Sequence, residues 1–207
     1  MFDILTELAA IHRAVAVDGS ADTVSVTVAR TYDADPDDVW DALTSAERLP
    51  RWFYPVSGDL RVGGTFQLEG NAGGDIQACE RPVLLRVTFG GPESVVEVRL
   101  AEAGETTRLE LTHTVPLALA GSGAGALFVG PGWDGALVAL ATHLRGESPE
   151  NPLEAAGSPE MIEFNGGSIE RWTEVVEQSG TAAPDEIAGA REMAAAQYTP
   201  DAAAAAE

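Results

Sequence analysis

The stretch from Pro55 to Pro116 constrains the fold most. Its apolar residues alternate with period two, and the alternation is cut by Gly63-Gly64, Gly70, Gly73-Gly74, Gly90-Gly91 and Gly104. Alternation of that kind reads as half-buried strands, and glycine clusters read as turns. The breaks predict strands near residues 65–69, 75–80, 83–89, 94–100 and 106–115. Connections this short can only be hairpins, so the sheet is expected to be an antiparallel meander. Phe66 and Leu68, then Val83, Leu85, Val87 and Phe89, then Val96, Val98 and Leu100, then Leu109, Leu111 and Val115 each share one strand face. Thr88, Glu97, Arg99, Arg108 and Glu110 take the other, so one side of the sheet is predicted to be buried.

A curved sheet buried on one face needs a partner layer. Pro131 is expected to open a long helix whose Trp133, Leu137, Leu140 and Leu144 form one apolar stripe ending at Gly146. Before the meander, Val24, Val26 and Val28 predict a further strand. Asp35-Pro36-Asp37-Asp38 predicts the capped start of a short helix, and Thr44 with Glu47 predicts a second one over Glu47 to Trp52. At the N-terminus, Phe2, Leu5, Leu8, Ala9 and Ile11 have helical spacing. Pro116 to Gly132 reads as a connector. After Pro149 the chain turns acidic and Ala-rich, with helical stretches from Ser158 and around Ile169, Trp172, Val175 and Val176, and a last one over 185–198. The expected organisation is an N-terminal helix over 1–18, an α+β domain over 20–147, a helical C-terminal extension over 150–199 and a disordered tail over 200–207.

Composition narrows the chemistry. The net charge of −21 repels phosphate backbones and anionic lipid, so nucleic acid is not an expected partner. All twelve basic residues are Arg. A chain without Lys has no Schiff-base, pyridoxal-phosphate or phosphate-loop lysine chemistry. GC-rich coding accounts for this bias, with salt adaptation as the alternative. Cys79 is the single cysteine, which fits a reducing, cytoplasmic compartment. No membrane span and no secretory leader are expected. His12, His113 and His143 lack metal-site spacing, so no metal or other cofactor is expected. There is no Gly-x-Ser-x-Gly elbow, and Gly121, Gly123 and Gly125 lack the strand–helix setting of a phosphate loop.

Several segments together resemble a known family: Ala29-Arg30-Thr31-Tyr32-Asp33-Ala34, Val39-Trp40-Asp41-Ala42-Leu43-Thr44, Arg51-Trp52-Phe53 and Gly58-Asp59-Leu60-Arg61-Val62-Gly63-Gly64, followed by Gly73-Gly74, Arg81-Pro82, His113-Thr114 and Gly132-Trp133-Asp134-Gly135-Ala136-Leu137. In this order and spacing they are similar to bacterial proteins related to the C-terminal domain of the activator of heat-shock protein 90 ATPase. That family lies within the START-like, SRPBCC helix-grip superfamily. The resemblance spans about residues 22–146. It implies an α+β helix-grip fold, a curved antiparallel sheet wrapped around a long C-terminal helix, with a cavity between them that holds lipids, polyketides or other apolar ligands.

Such a cavity needs apolar walls and a few orienting polar groups. The candidate walls are Trp52, Phe53, Phe66, Leu68, Phe89, Val98, Leu111, Trp133 and Leu137, which could equally fill a core. His113 shares the inward parity of Leu109, Leu111 and Val115, so its imidazole is either a ligand contact, an acid or base, or a hydrogen-bonded core histidine. No catalytic set is read. The leading function is a binding or carrier protein for a small apolar ligand. The alternatives are a cyclase, dehydratase or hydrolase using the same cavity, and a regulator of a chaperone ATPase. A homodimer built on the outer helices remains open.

Overall fold

The computed structural model describes residues 3–200. The chain runs through helix α1 (Ile4–Ala9), strands β1 (His12–Asp18) and β2 (Thr23–Tyr32), and helix α2 (Pro36–Thr44). Strands β3 (Val56–Gly58), β4 (Thr65–Leu68), β5 (Gly73–Glu80), β6 (Leu84–Thr88), β7 (Val95–Ala103) and β8 (Thr106–Pro116) follow. Helices α3 (Leu117–Ala120), α4 (Ala126–Leu144), α5 (Pro152–Ala156), α6 (Pro159–Ser179) and α7 (Pro184–Tyr198) complete it. All strand pairs are antiparallel, in the order β1-β2-β8-β7-β6-β5-β4-β3. The expected α+β architecture is therefore present, with α4 packed on β2.

The inward face follows from the alternation. Val24, Val26 and Val28 are buried, as are Val96, Val98 and Leu100, and Leu109, Leu111 and His113. On the outward face Ser25 pairs with Thr114 and Thr27 with Thr112 through their hydroxyls, at 2.9 and 3.1 Å. Thr88 is buried on that side, its hydroxyl accepting the Asp75 amide at 2.7 Å. Helix α2 starts where Asp35 accepts the Asp38 amide, with Pro36 in the first turn.

Several expectations are corrected. The N-terminal helix does not extend over 1–18: it ends at Ala9, and His12–Asp18 pairs with β2 as an added edge strand. Arg13, Val15 and Val17 lie opposite Val28, Val26 and Val24, so the buried face of β2 continues onto β1. The second short helix shrinks to one 3-10 turn, Leu49–Arg51, where Pro50 supplies no amide donor. β3 is too short for alternation to reveal. α4 begins at Ala126 rather than Pro131, which lies inside it. The stretches after Ser158 are one helix, α6, capped by the Ser158 hydroxyl. The tail 201–207 lies outside the described residues.

α4 is apolar almost all round, because it is covered on two sides. The sheet takes one side, while α6 and α7 pack on the other. Gly123–Leu144 is long and apolar enough by length and composition alone to cross a bilayer, a test that a buried core helix also passes, and 56% of its apolar window is buried inside the fold. Gly130 is required where α6 crosses, since a Cβ there would sit 2.4 Å from the Trp172 indole.

Candidate ligand-binding site

β8 carries His113 inward, opposite Val26 on one neighbouring strand and Val96 on the other. α4 lowers Trp133 onto it. The Trp133 indole N–H donates to His113 Nδ1 at 3.2 Å, and His113 Nε2 lies 2.8 Å from the Ser94 hydroxyl. An indole nitrogen can only donate, so Nδ1 must be the unprotonated nitrogen and the proton resides on Nε2. Burial drives the imidazole pKa down to about 4, so it is neutral near pH 7. Phe89 packs edge-on against the imidazole with centroids 6.1 Å apart and lies 5.3 Å from Trp133, and Phe66 lies 6.4 Å from Phe89. Phe66, Phe89 and Trp133 are half-buried, forming an aromatic rim over a buried histidine.

Beside this cluster is a cavity of about 140 Å³. Val24, Val26 and Val115 supply its sheet wall, and Leu119, Phe128 and Val129 its helical wall. His113 is the polar side chain in that lining.

Of the ten candidate residues, His113 lines the cavity; Phe89 and Trp133 pack on His113 and Phe66 on Phe89, outside that lining. Val98 and Leu111 are cross-strand partners on the same inward face, both buried, and Leu137 is buried one turn beyond Trp133. Leu68 is buried at the end of β4, opposite Val56. Trp52 and Phe53 form a separate stack with centroids 5.2 Å apart, extended edge-on by Tyr54, and the Trp52 indole donates to the Ala42 carbonyl. Val24, Val26, Ser94, Leu119, Phe128 and Val129 were not among the candidates. The two valines were legible as inward-facing strand residues, whereas the others come from turns and from the segment read as a connector.

A second polar cluster lies on the opposite side of α4. Asp134 is fully buried and its Oδ2 accepts from Arg13 Nε at 2.7 Å, from the Ser168 hydroxyl and from the Trp172 indole at 3.1 Å. Burial raises the Asp134 pKa to about 6, and Arg13 offsets this only in part. Arg13 also donates to the Leu8 and Ile11 carbonyls. A neighbouring buried pair joins Glu7 and Arg30 at 2.6 Å. Sequence reasoning missed this cluster. Its signal was a single carboxylate in the otherwise apolar sequence of α4, which must find a partner when buried. Among the described residues, no group of three His, Cys, Asp or Glu side chains is arranged to hold a metal ion.

Comparison with solved structures places this geometry. The crystal structure of CalU16 from Micromonospora echinospora is 37% identical, covers 81% of this chain and 98% of its own, and superposes with a TM-score of 0.66. The solution structure of CalU16 gives 38% identity, 82% and 97% coverage and a TM-score of 0.68. DynU16, a protein in the dynemicin biosynthetic locus, is 25% identical over 63% of this chain and 49% of its own, with a TM-score of 0.53. Curated proteins gave no significant match. The sequence profile described as activator of Hsp90 ATPase homolog 1-like protein matches residues 33–145, from the start of α2 to the end of α4. With more than half its length matched, and with its sheet closed around α4, the chain belongs to the activator of Hsp90 ATPase homolog 1-like family, of SRPBCC type.

Proposed function

We propose that the protein binds or carries a small apolar ligand, lipid- or polyketide-like in character, in the space between the sheet and α4. One observation carries the reading: an apolar cavity of about 140 Å³ whose polar lining side chain is a buried, neutral histidine. Apolar walls with a few fixed polar groups are the usual make-up of small-molecule sites. The volume is below the roughly 300 Å³ at which drug-sized pockets begin, and close to that of an engineered cavity of about 150 Å³ that takes benzene. The occupant is therefore a single ring, or the ring end of a longer molecule. The place of DynU16 in a biosynthetic locus is in keeping with a small-molecule ligand. The acidic surface and single exposed cysteine accord with a bacterial, cytoplasmic setting. The domain is taken as residues 20–147, with the flanking segments as its support.

The same geometry stands against a hydrolytic Ser94–His113 dyad. A general base must offer a lone pair to the hydroxyl, but the indole of Trp133 fixes the lone pair on the other nitrogen.

Native mass spectrometry and thermal shifts with benzene, indole, short fatty acids and aromatic polyketides test the reading. Ring compounds are expected to raise the melting temperature of the wild type, and Val115→Phe, which fills the cavity, is expected to remove that rise. A panel without any shift, or shifts that survive Val115→Phe, would reject it.

A further inference from the structure

The Trp133–His113–Ser94 chain has a direction, and direction selects ligand chemistry. It begins at an indole N–H, which has no acceptor lone pair to offer. That N–H fixes the lone pair of His113 on Nδ1, so the Nε2–H must be given to Ser94 Oγ, 2.8 Å away. Were Ser94 to donate to Nε2 instead, the imidazole proton would sit on Nδ1 and face the indole proton. An imidazolium would create the same clash. Ser94 Oγ is therefore an acceptor toward His113, and its own proton must be given elsewhere. Among the described residues, no acceptor for that proton is found. Val95 lies opposite Thr114 and Val96 opposite His113 at the end of the ladder, so Ser94 meets the site through its bond to the cavity-lining His113. Ser94 shares the inward parity of Val96 and Val98, and it is half-buried.

We infer that Ser94 is the orienting hydrogen-bond donor of this site, and that the ligand it selects is an apolar ring bearing an acceptor, a ketone, quinone or ether oxygen. This rests on the carrier reading and sharpens it. A ligand without an acceptor would leave the Ser94 proton unpaired as it covers the site, and a site built around a hydrogen bond discriminates against the analogue that cannot make it.

Acetophenone and ethylbenzene are matched probes: nearly the same size, one with a carbonyl acceptor and one with none. Binding is followed by amide chemical-shift titration of the full chain. The expected result is about tenfold tighter binding of acetophenone, the fold-change of one hydrogen bond of about 1.4 kcal/mol. In Ser94→Ala the two are expected to bind alike, with ethylbenzene unaffected. Nitrogen-15 spectra of wild-type His113 supply a readout that needs no ligand and are expected to show the Nε2–H tautomer. Equal binding of both probes to wild type would overturn the acceptor inference and leave the carrier reading standing. Binding of neither would overturn both. A preference that persists in Ser94→Ala, or an Nδ1–H tautomer, would overturn the role of Ser94.

Discussion

Trp133 and Asp134 are consecutive on α4, yet they face interiors of opposite kind. Trp133 meets a neutral histidine whose two nitrogens are both hydrogen-bonded, next to an apolar cavity. Asp134 meets a buried guanidinium, and Asp134 Oδ1 and Arg13 Nη2 have no partner among the described residues. The cavity side is built mostly from residues 33–145, the stretch matched by the family profile, joined by Val24 and Val26 of β2 just before it. The charged side is held by segments outside residues 33–145: β1 brings Arg13, and α6 brings Ser168 and Trp172. The contrast teaches that a buried ion pair fixes how the two terminal segments attach, while the neutral, directed chain is the part suited to meet a ligand. Buried ion pairs often contribute little net stability but are costly to break.

The comparison can be broken at its charged side first. Arg13→Ala leaves Asp134 buried without its counter-charge and is expected to cost about 3–5 kcal/mol in urea unfolding. A paired replacement, Arg13→Met with Asp134→Leu, should recover most of that loss. A recovery of nothing would mean that the pair orders the segment in some further way.

The next effect is on pH, and the two sides should oppose each other. The folded-state pKa of Asp134 is raised from 3.8 to about 6, so the folded protein binds more protons in that window. Its contribution is fully present below 3.8 and is lost as pH rises through about 6. His113 is depressed from 6.5 to about 4, so here the unfolded chain binds more protons, and stability falls as pH drops from 6.5 toward 4. Each amounts to something on the order of 3 kcal/mol, with opposite sign. Stability measured between pH 4 and 6.5 should therefore vary little through these two groups in the wild type. Replacing His113 by Phe should uncover a fall with rising pH, and Asp134→Asn should uncover a rise.

Gly130→Ala sharpens the contrast further. Its new methyl would press on Trp172, for an expected overpacking cost of about 1–3 kcal/mol. Ring-compound binding on the far side of α4 should be unchanged. The smallest effect belongs to the outward sheet face, where Arg99 pairs with Glu97 at 2.8 Å. Arg99→Ala should change stability by less than about 1 kcal/mol and leave binding untouched.

Much of the sheet was legible because Val96, Val98, Leu109 and Leu111 alternate cleanly and short glycine turns permit only hairpins. α2 was legible from Asp35 and Pro36. β1 was not, because the helical spacing of Leu5, Leu8 and Ile11 runs straight into a segment whose strand character comes from pairing with β2. The start of α4 was hidden by Pro131, which normally opens a helix. At the site, strand parity turned His113 inward, but its partners Ser94 and Trp133 come from a hairpin turn and a distant helix. No local pattern encodes that meeting.

Pro131 has a last consequence. Lacking an amide proton, it interrupts the ladder of α4 within one turn of Phe128 and Val129, two walls of the cavity. The Tyr198 hydroxyl, from the final turn of α7, donates to the Phe128 carbonyl at 2.7 Å and lies within reach of the Gly132 amide. A phenol thus splints the helix at its weak joint from outside the domain. Any loosening of α7 is therefore transmitted to the pocket wall, so the far end of the chain can tune a chamber that it never enters.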